Sequence, residues 1–194
     1  PTAAAAHYCR RYKKPYIIAP RGALYTYALG KNAWKKWPYY TLIGKRDIQG
    51  AAAIHFTTKD ELERCHPFLD LKYKAIIVPN GIDISEFDNL PETGRLKERY
   101  PFLNNKKVIL FLGRIHWKKG LDLLAKAYGK VAREINDVHL LIVGPDEGKY
   151  ERKLRQLLKI EGVLERVTFT GMLTGKEKLE TYAGSNLFVL PSYS

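Results

Sequence analysis

Apolar residues along the chain gather into short continuous runs, separated by stretches in which they recur every three or four positions. Runs of that length read as buried strands and the spaced stretches as amphipathic helices. Two such series are legible. In the first, Tyr16 to Ala19, Ala51 to Phe56 and Ala75 to Val78 are predicted strands. Thr58-Lys59-Asp60-Glu61 opens a helix as a capping box, in which the threonine hydroxyl and the glutamate three residues on satisfy helix amides. Pro79-Asn80-Gly81 ends the third strand as a turn signal.

From Asp83 to Asn105 the composition turns polar, with Pro91-Glu92-Thr93-Gly94 as a further breaker. The predicted organisation is therefore a first lobe over 1–82, a linker with the first helix of the second lobe over 83–106, and a second lobe over 107–194. In that second lobe the predicted strands are Lys107 to Leu112, Val138 to Val143, Val167 to Thr170 and Leu187 to Leu190. Leu121, Leu123, Leu124, Ala127, Tyr128 and Val131 fall on one predicted helical face, and Tyr150, Leu154, Leu157 and Leu158 on another. Thr174-Gly175-Lys176-Glu177 is a second capping box, opening a helix through Tyr182. Continuous apolar strands alternating with amphipathic helices imply a parallel sheet covered on both faces, an α/β doubly wound lobe. Ligands of such a lobe sit at the carboxyl ends of its strands.

The composition narrows the functional classes. The chain has 194 residues, 45% apolar and 27% charged, which excludes disorder as the main state. No apolar stretch approaches the ~20 residues needed to span a bilayer. Cys9 and Cys65 are far apart with no Cys-x-x-Cys pattern, so neither a disulfide framework nor a zinc finger is indicated. Adding His7 and His66 to them gives no recognised ligand spacing. A reducing, cytoplasmic setting is the simplest reading. Residues 1 to 6 show no signal-peptide pattern, and a chain halting just past a predicted strand reads as a fragment.

The net charge of +13 is uneven: residues 1 to 80 hold 14 basic and 5 acidic groups, and residues 81 to 194 hold 19 and 15. Within the basic first lobe, Lys31-Asn32-Ala33-Trp34-Lys35-Lys36-Trp37-Pro38-Tyr39-Tyr40 interleaves lysine with aromatic residues, the mixture favoured at a lipid headgroup surface. Two readings stay open: a helix packing its tryptophans into the lobe, and peripheral attachment to an anionic membrane. Nucleic acid is not the expected partner, because the basic residues concentrate on no single predicted helix and no DNA or RNA motif is present.

The candidate chemistry lies at the strand ends. Gly113-Arg114-Ile115-His116-Trp117-Lys118-Lys119-Gly120 holds four basic or potentially basic groups between glycines, with no acid among them. Gly171-Met172-Leu173 follows the third strand of the second lobe. Glycine there lets a ligand approach the backbone. Together the two loops suggest an anionic ligand with a flat group, such as a nucleotide diphosphate. Neither a dinucleotide fingerprint nor a P-loop occurs to explain them.

Six segments carry a resemblance. Val78-Pro79-Asn80-Gly81-Ile82-Asp83, Phe111-Leu112-Gly113-Arg114, Lys119-Gly120, Val143-Gly144-Pro145, Phe169-Thr170-Gly171-Met172-Leu173 and Phe188-Val189-Leu190-Pro191-Ser192 resemble glycosyltransferase family 4 in order and spacing. Pro20-Arg21-Gly22-Ala23-Leu24 and Thr57-Thr58-x-x-Glu61 are similar to a subgroup of that family. The resemblance implies the GT-B fold, parts of two Rossmann-like doubly wound lobes, with a nucleotide-diphosphate sugar bound mainly by the second and a glycan or lipid-linked glycan acceptor mainly by the first. It implies transfer with retention of configuration, without metal or cofactor.

By the same resemblance, Arg114 and Lys119 with Gly113 match the donor diphosphate ligands, and Gly171 and Met172 the nucleobase side. Lys118 is the alternative to Lys119. His116 reads as a polar loop residue, and Trp117 as either a cover for the donor or a packing group. Asn80 and Gly81 read first as a structural turn and second as a donor contact or hinge. Arg21 with Gly22 is open between an acceptor contact and, for Arg21, a structural ion pair. Thr58, Glu61, Thr174 and Glu177 read as caps. The family's glutamate pair is expected beyond Ser194, and its acceptor-side histidine and glycine-rich loop before Pro1, so catalytic residues are expected outside the chain, which alone should not turn over. A nucleotide-sugar epimerase on the same fold and a non-catalytic nucleotide-sugar-binding remnant are the alternatives.

Overall fold

A computed structural model gives the structure of residues 2–25, 30, 33–65 and 74–193. The chain divides into two compact units, Pro1–Ile82 and Asp83–Ser194.

The first unit runs α1 (Thr2–Arg11), β1 (Ile17–Ile18), α2 (Ala33–Tyr39), a π-helical turn (Tyr40–Gly44), α3 (Lys45–Gln49), β2 (Ala53–Phe56), α4 (Lys59–Cys65) and β3 (Ala75–Ile77). Its three strands are parallel in the order β1-β2-β3. β2 is central, which is why Ala53, Ile54 and Phe56 are buried while both edge strands are partly exposed and shorter than the apolar runs predict. Ile48, Ile54, Phe56 and Cys65 form the core. A partly buried ion pair, Arg10 Nη1 to Asp47 Oδ1 at 2.6 Å, ties α1 to α3. The Tyr16 hydroxyl donates to the Asp47 carbonyl beside it.

The second unit contains 3₁₀ turns at Ile84–Phe87 and Pro101–Leu103, with α5 (Arg95–Arg99) between them. There follow β4 (Lys107–Leu112), a 3₁₀ turn (Trp117–Lys119), α6 (Leu121–Glu134), β5 (Val138–Val143), α7 (Glu151–Ile160), β6 (Val167–Gly171), α8 (Gly175–Gly184) and β7 (Leu187–Phe188). The sheet is wholly parallel, ordered β6-β5-β4-β7. Alternate residues of the two inner strands feed two separate apolar layers. Phe111, Leu140 and Ile142 join Leu121, Leu124, Tyr128, Leu154 and Leu158 of α6 and α7 on one face. Val108, Leu110, Leu141 and Val143 join Leu96 of α5 and Tyr182 of α8 on the other. A strand buried on both faces is apolar along most of its length, the origin of the near-continuous runs in the sequence. Leu96 and Leu103 are fully buried, so the segment before β4 is part of this unit's core and not a free linker.

Three expectations are corrected. The buried face of α6 is Leu121, Leu124, Ala125, Tyr128 and Ala132, while Leu123 and Ala127 are exposed; a step of 100° per residue carries them off that face. The Thr174 side chain makes no cap bond. Glu177 instead accepts from Arg99 Nη1 at 2.6 Å, and Glu180 from Arg99 Nη2 at 3.0 Å, so α5 and α8 are held by a two-carboxylate clamp. No turn forms at Pro79-Asn80-Gly81, where the backbone runs on without regular structure and Gly81 has no positive φ.

Candidate functional site at the carboxyl ends of the parallel strands

Strand order β6-β5-β4-β7 places a reversal between β4 and β7, because the chain moves outward from β4 through β5 to β6 and then returns to β4's other side. In open parallel sheets the crevice at such a reversal is where ligands bind. The loops that meet there are Gly113 to Gly120 after β4 and Pro191-Ser192 after β7. They touch closely. Gly120 has φ +64°, and a Cβ on it would overlap the Pro191 carbonyl oxygen. The Tyr193 amide donates to the Lys118 carbonyl at 2.9 Å, and the Tyr193 hydroxyl to Asp122 Oδ2 at 2.8 Å. Ser192 Oγ and Asp122 Oδ1 are buried there without a hydrogen-bond partner among the described residues. α6 starts at Leu121, so the amino end of a 14-residue helix opens directly beneath the basic loop. Its dipole favours negative charge at that end.

The same edge continues along the sheet. The Gly113 amide donates to the Val143 carbonyl at 2.9 Å, Ile115 to Pro145 at 2.9 Å, and Gly144 to Gly171 at 2.8 Å. Gly144, with φ +144°, lies so close to the Gly113 carbonyl that no Cβ would fit. Gly171 has φ +74° with open space around it, and Met172 is 67% exposed. The candidate diphosphate and nucleobase residues thus share one end of one sheet, on β4 and β6, with the β5 loop between them.

That middle loop supplies what the sequence reading missed. Arg114 Nη1 donates to Glu147 Oε2 at 2.8 Å, with both side chains more than half exposed. The Gly113 to Gly120 segment contains no acid of its own, but the neighbouring loop delivers one. The signal lay in Asp146-Glu147, which directly follow Gly144-Pro145 at a strand's carboxyl end. His116 does act as a loop residue: its Nδ1 accepts from the Lys118 amide at 3.3 Å and caps the 3₁₀ turn. Lys118 Nζ lies 5.9 Å from the centroid of the Trp117 ring. Among the described residues Lys119 has no carboxylate partner.

The first unit presents a second constellation, also at strand carboxyl ends. Pro20 to Ala23 form a tight turn, closed by Ala23 N–H to the Pro20 carbonyl at 2.9 Å, with Arg21 and Gly22 both at positive φ. A non-glycine residue in that region carries about 1–2 kcal/mol of strain. Buried Glu61 holds the turn: its carboxylate accepts from the Gly22 amide and from the Thr57 amide and hydroxyl, each at 2.8 Å. Only half of the expected capping box forms, since the Thr58 hydroxyl accepts from the Glu61 amide at 3.0 Å while Glu61 reaches elsewhere. Burial alone would raise the Glu61 pKa, but the bonds from Thr57 and Gly22 and the nearby Arg21 charge outweigh it and lower the value. Arg21 makes no ion pair among the described residues; its guanidinium donates to Asn80 Oδ1 at 3.0 Å. Arg21, Gly22, Glu61 and Asn80 are therefore one network.

The aromatic and basic segment lies on α2 and the π turn. Trp34 is 75% exposed and Trp37 45%, and the Trp37 ring meets the Tyr40 ring edge-on with centroids 6.0 Å apart. Lys31 and Asn32, and the His66 of the rejected zinc set, lie outside the described residues.

Comparison with known proteins is consistent with this layout. A family model described as glycosyl transferases, group 1, matches residues 93–194. A GDP-mannose-dependent alpha-(1-6)-phosphatidylinositol monomannoside mannosyltransferase of Mycobacterium tuberculosis is 32% identical over 163 residues, covering 81% of this chain and 40% of that enzyme. An alpha-monoglucosyldiacylglycerol synthase of Streptococcus pneumoniae is 26% identical over 131 residues, covering 64% of this chain and 29% of its own length. The chain thus spans less than half the length of these relatives. Among solved structures, Anabaena HepE in complex with UDP and glucose superposes over 100% of this chain and 50% of its own, with a TM-score of 0.80 at 16% identity. WaaG, a glycosyltransferase of lipopolysaccharide biosynthesis, covers 98% of this chain and 56% of its own, with a TM-score of 0.71 at 15% identity. The fold is the GT-B type.

Proposed function

Because the chain belongs to the group 1 glycosyl transferases, we propose that it is part of an enzyme that moves a sugar from a nucleotide-diphosphate donor to a glycan or lipid-linked glycan acceptor, with retention and without metal. The observation that carries this reading is the position of Arg114, at the carboxyl end of β4 beside the β4/β7 reversal, on a loop shared with Lys118 and Lys119. An Arg fork and a Lys point charge there would stabilise the charge that grows on a departing diphosphate. The amino end of α6 adds to the same field. Gly171 and Met172, two strands away, would meet the nucleobase, where an open, positive-φ glycine leaves room for a flat ring. In the first unit, the Arg21, Gly22 and Asn80 network is the candidate acceptor side.

Lipid-linked acceptors are favoured by the names of the relatives, which include a phosphatidylinositol mannoside mannosyltransferase and a diacylglycerol-derived glycolipid synthase. Exposed Trp34, Trp37, Leu42 and Ile43 lie along one helical segment with Lys36, Lys45 and Arg46, a surface suited to an anionic bilayer from the cytoplasmic side. Among the described residues no helix is long and apolar enough to cross a membrane.

The test is to incubate the purified full-length enzyme of which this chain is part with nucleotide-diphosphate sugars and a glycolipid acceptor in the presence of a chelator. Product with the donor's anomeric configuration, formed despite the chelator, supports the proposal. Isomerised donor without any acceptor would instead establish the epimerase alternative. Vesicle flotation separates the membrane reading: equal recovery with neutral and anionic vesicles would overturn it.

A further inference from the structure

We propose that the first unit holds a dedicated site for one alkyl chain of a phosphate-bearing amphiphile, in the cavity beneath the π-helical turn. The cavity measures ≈ 350 Å³ and is lined by Ile18, Pro20, Leu24, Tyr40, Ile48 and, at one side, Lys36. That size falls within the ~300–1,000 Å³ typical of small-molecule sites. The inference does not depend on the donor site or on sugar transfer.

Three observations fix the occupant. The wall is mostly apolar, and its one carboxylate, Asp47, is already bonded by Arg10 at 2.6 Å and only 7% exposed. An anionic headgroup is therefore not repelled from within, and Lys36 is one of the lining residues. Second, the wall is deformed. Pro38 lies inside α2, and the next turn widens to a π-helix in which the Lys45 amide bonds to the Tyr40 carbonyl. Such turns occur often at functional sites. Gly44 lies against the Tyr40 ring, where an added Cβ would stand 3.2 Å from it, so the widened turn and the aromatic wall are matched in shape. Third, the segment that forms the wall also carries exposed apolar side chains, Leu42 at 76% and Ile43 at 41%. The cavity is also lined by Pro20 and Ala23, the two ends of the turn that carries Arg21.

The experiment is a binding series of n-alkyl phosphates from butyl to hexadecyl, each below its micellar concentration, read by isothermal titration and native mass spectrometry on the purified protein. A cavity of fixed size predicts one saturable site whose affinity rises about fourfold per added methylene and then stops rising once the cavity is full. Ala23→Phe, at an exposed turn position lining the cavity, should lower the affinity of the long-chain members at least tenfold with an unchanged melting profile. Lys36→Glu should weaken the alkyl phosphates while sparing the uncharged n-alkyl maltosides. Affinity that climbs with chain length without a plateau, binding of several copies, or insensitivity to Ala23→Phe would overturn the proposal. Should Ala23→Phe perturb folding, the plateau in the wild-type series decides alone.

Discussion

Arg114 Nη1 and Glu147 Oε2 are 2.8 Å apart, joining the loop after β4 to the loop after β5 at the edge where the diphosphate is proposed to bind. The carboxylate stands where a phosphate oxygen would compete for the same guanidinium. Exposed pairs of this kind are weak, so Glu147→Gln should tighten nucleoside diphosphate binding by no more than about twofold to fivefold. Isothermal titration with UDP and GDP checks the direction. Weaker binding would show that Glu147 supports the site and does not compete in it.

The glycines of this edge differ in what they demand. Gly120→Ala would press a Cβ on the Pro191 carbonyl and hold alanine at φ +64°, at a cost of about 2–5 kcal/mol. Gly171→Ala, at φ +74° in open space, should cost only the backbone strain, about 1–2 kcal/mol. Thermal melts of the two variants should separate in that order.

His139, near the opposite end of β5, is buried with Nε2 2.9 Å from Thr168 Oγ1. Burial, reinforced by the charges of Lys106 and Arg166, pushes its pKa down to about 4. The folded state thus favours neutral histidine while the unfolded chain binds a proton near its ordinary value of about 6.5. This contribution is intact above that value and is lost as pH falls through 6 towards 4, by on the order of 3 kcal/mol. Melting temperature should fall across that window, and His139→Leu should flatten the fall.

Cys65 is fully buried at the end of α4, and burial, with the Glu61 charge beside it, pushes its thiol pKa up to about 11. It should resist thiol reagents at neutral pH while half-buried Cys9 reacts first. Titration with Ellman's reagent should show one rapid thiol in the native protein and two after denaturation.

Much of the fold was legible because strands buried on both faces leave nearly continuous apolar runs, such as Leu140 to Val143 of β5. The four second-unit strands sit where the runs predict them, although β7 covers only Leu187–Phe188. Besides the helical phase of Leu123 and Ala127 and the Pro79-Asn80-Gly81 turn, what failed depends on partners distant in sequence. Thr174 and Glu177 have the pattern of a capping box, but Arg99, 78 positions away, draws the glutamate off. Glu61 likewise has the spacing of a cap and spends its carboxylate on a turn 39 positions earlier. At the candidate site, the basic loop and the Gly171-Met172 turn could be placed from strand ends alone. The Glu147 counter-ion and the closeness of Gly120 to Pro191 could not, since both are set by strand order, which local patterning does not encode.

The central claim is that Arg114 receives the departing diphosphate. The most direct measurement is the turnover number of Arg114→Ala in the full-length enzyme, against the wild-type full-length enzyme, with a saturating nucleotide-sugar donor, alongside a thermal melt. Loss of one preorganised charge should reduce turnover about 10²-fold or more without changing the melt. Unchanged turnover would contradict the account and place the diphosphate elsewhere.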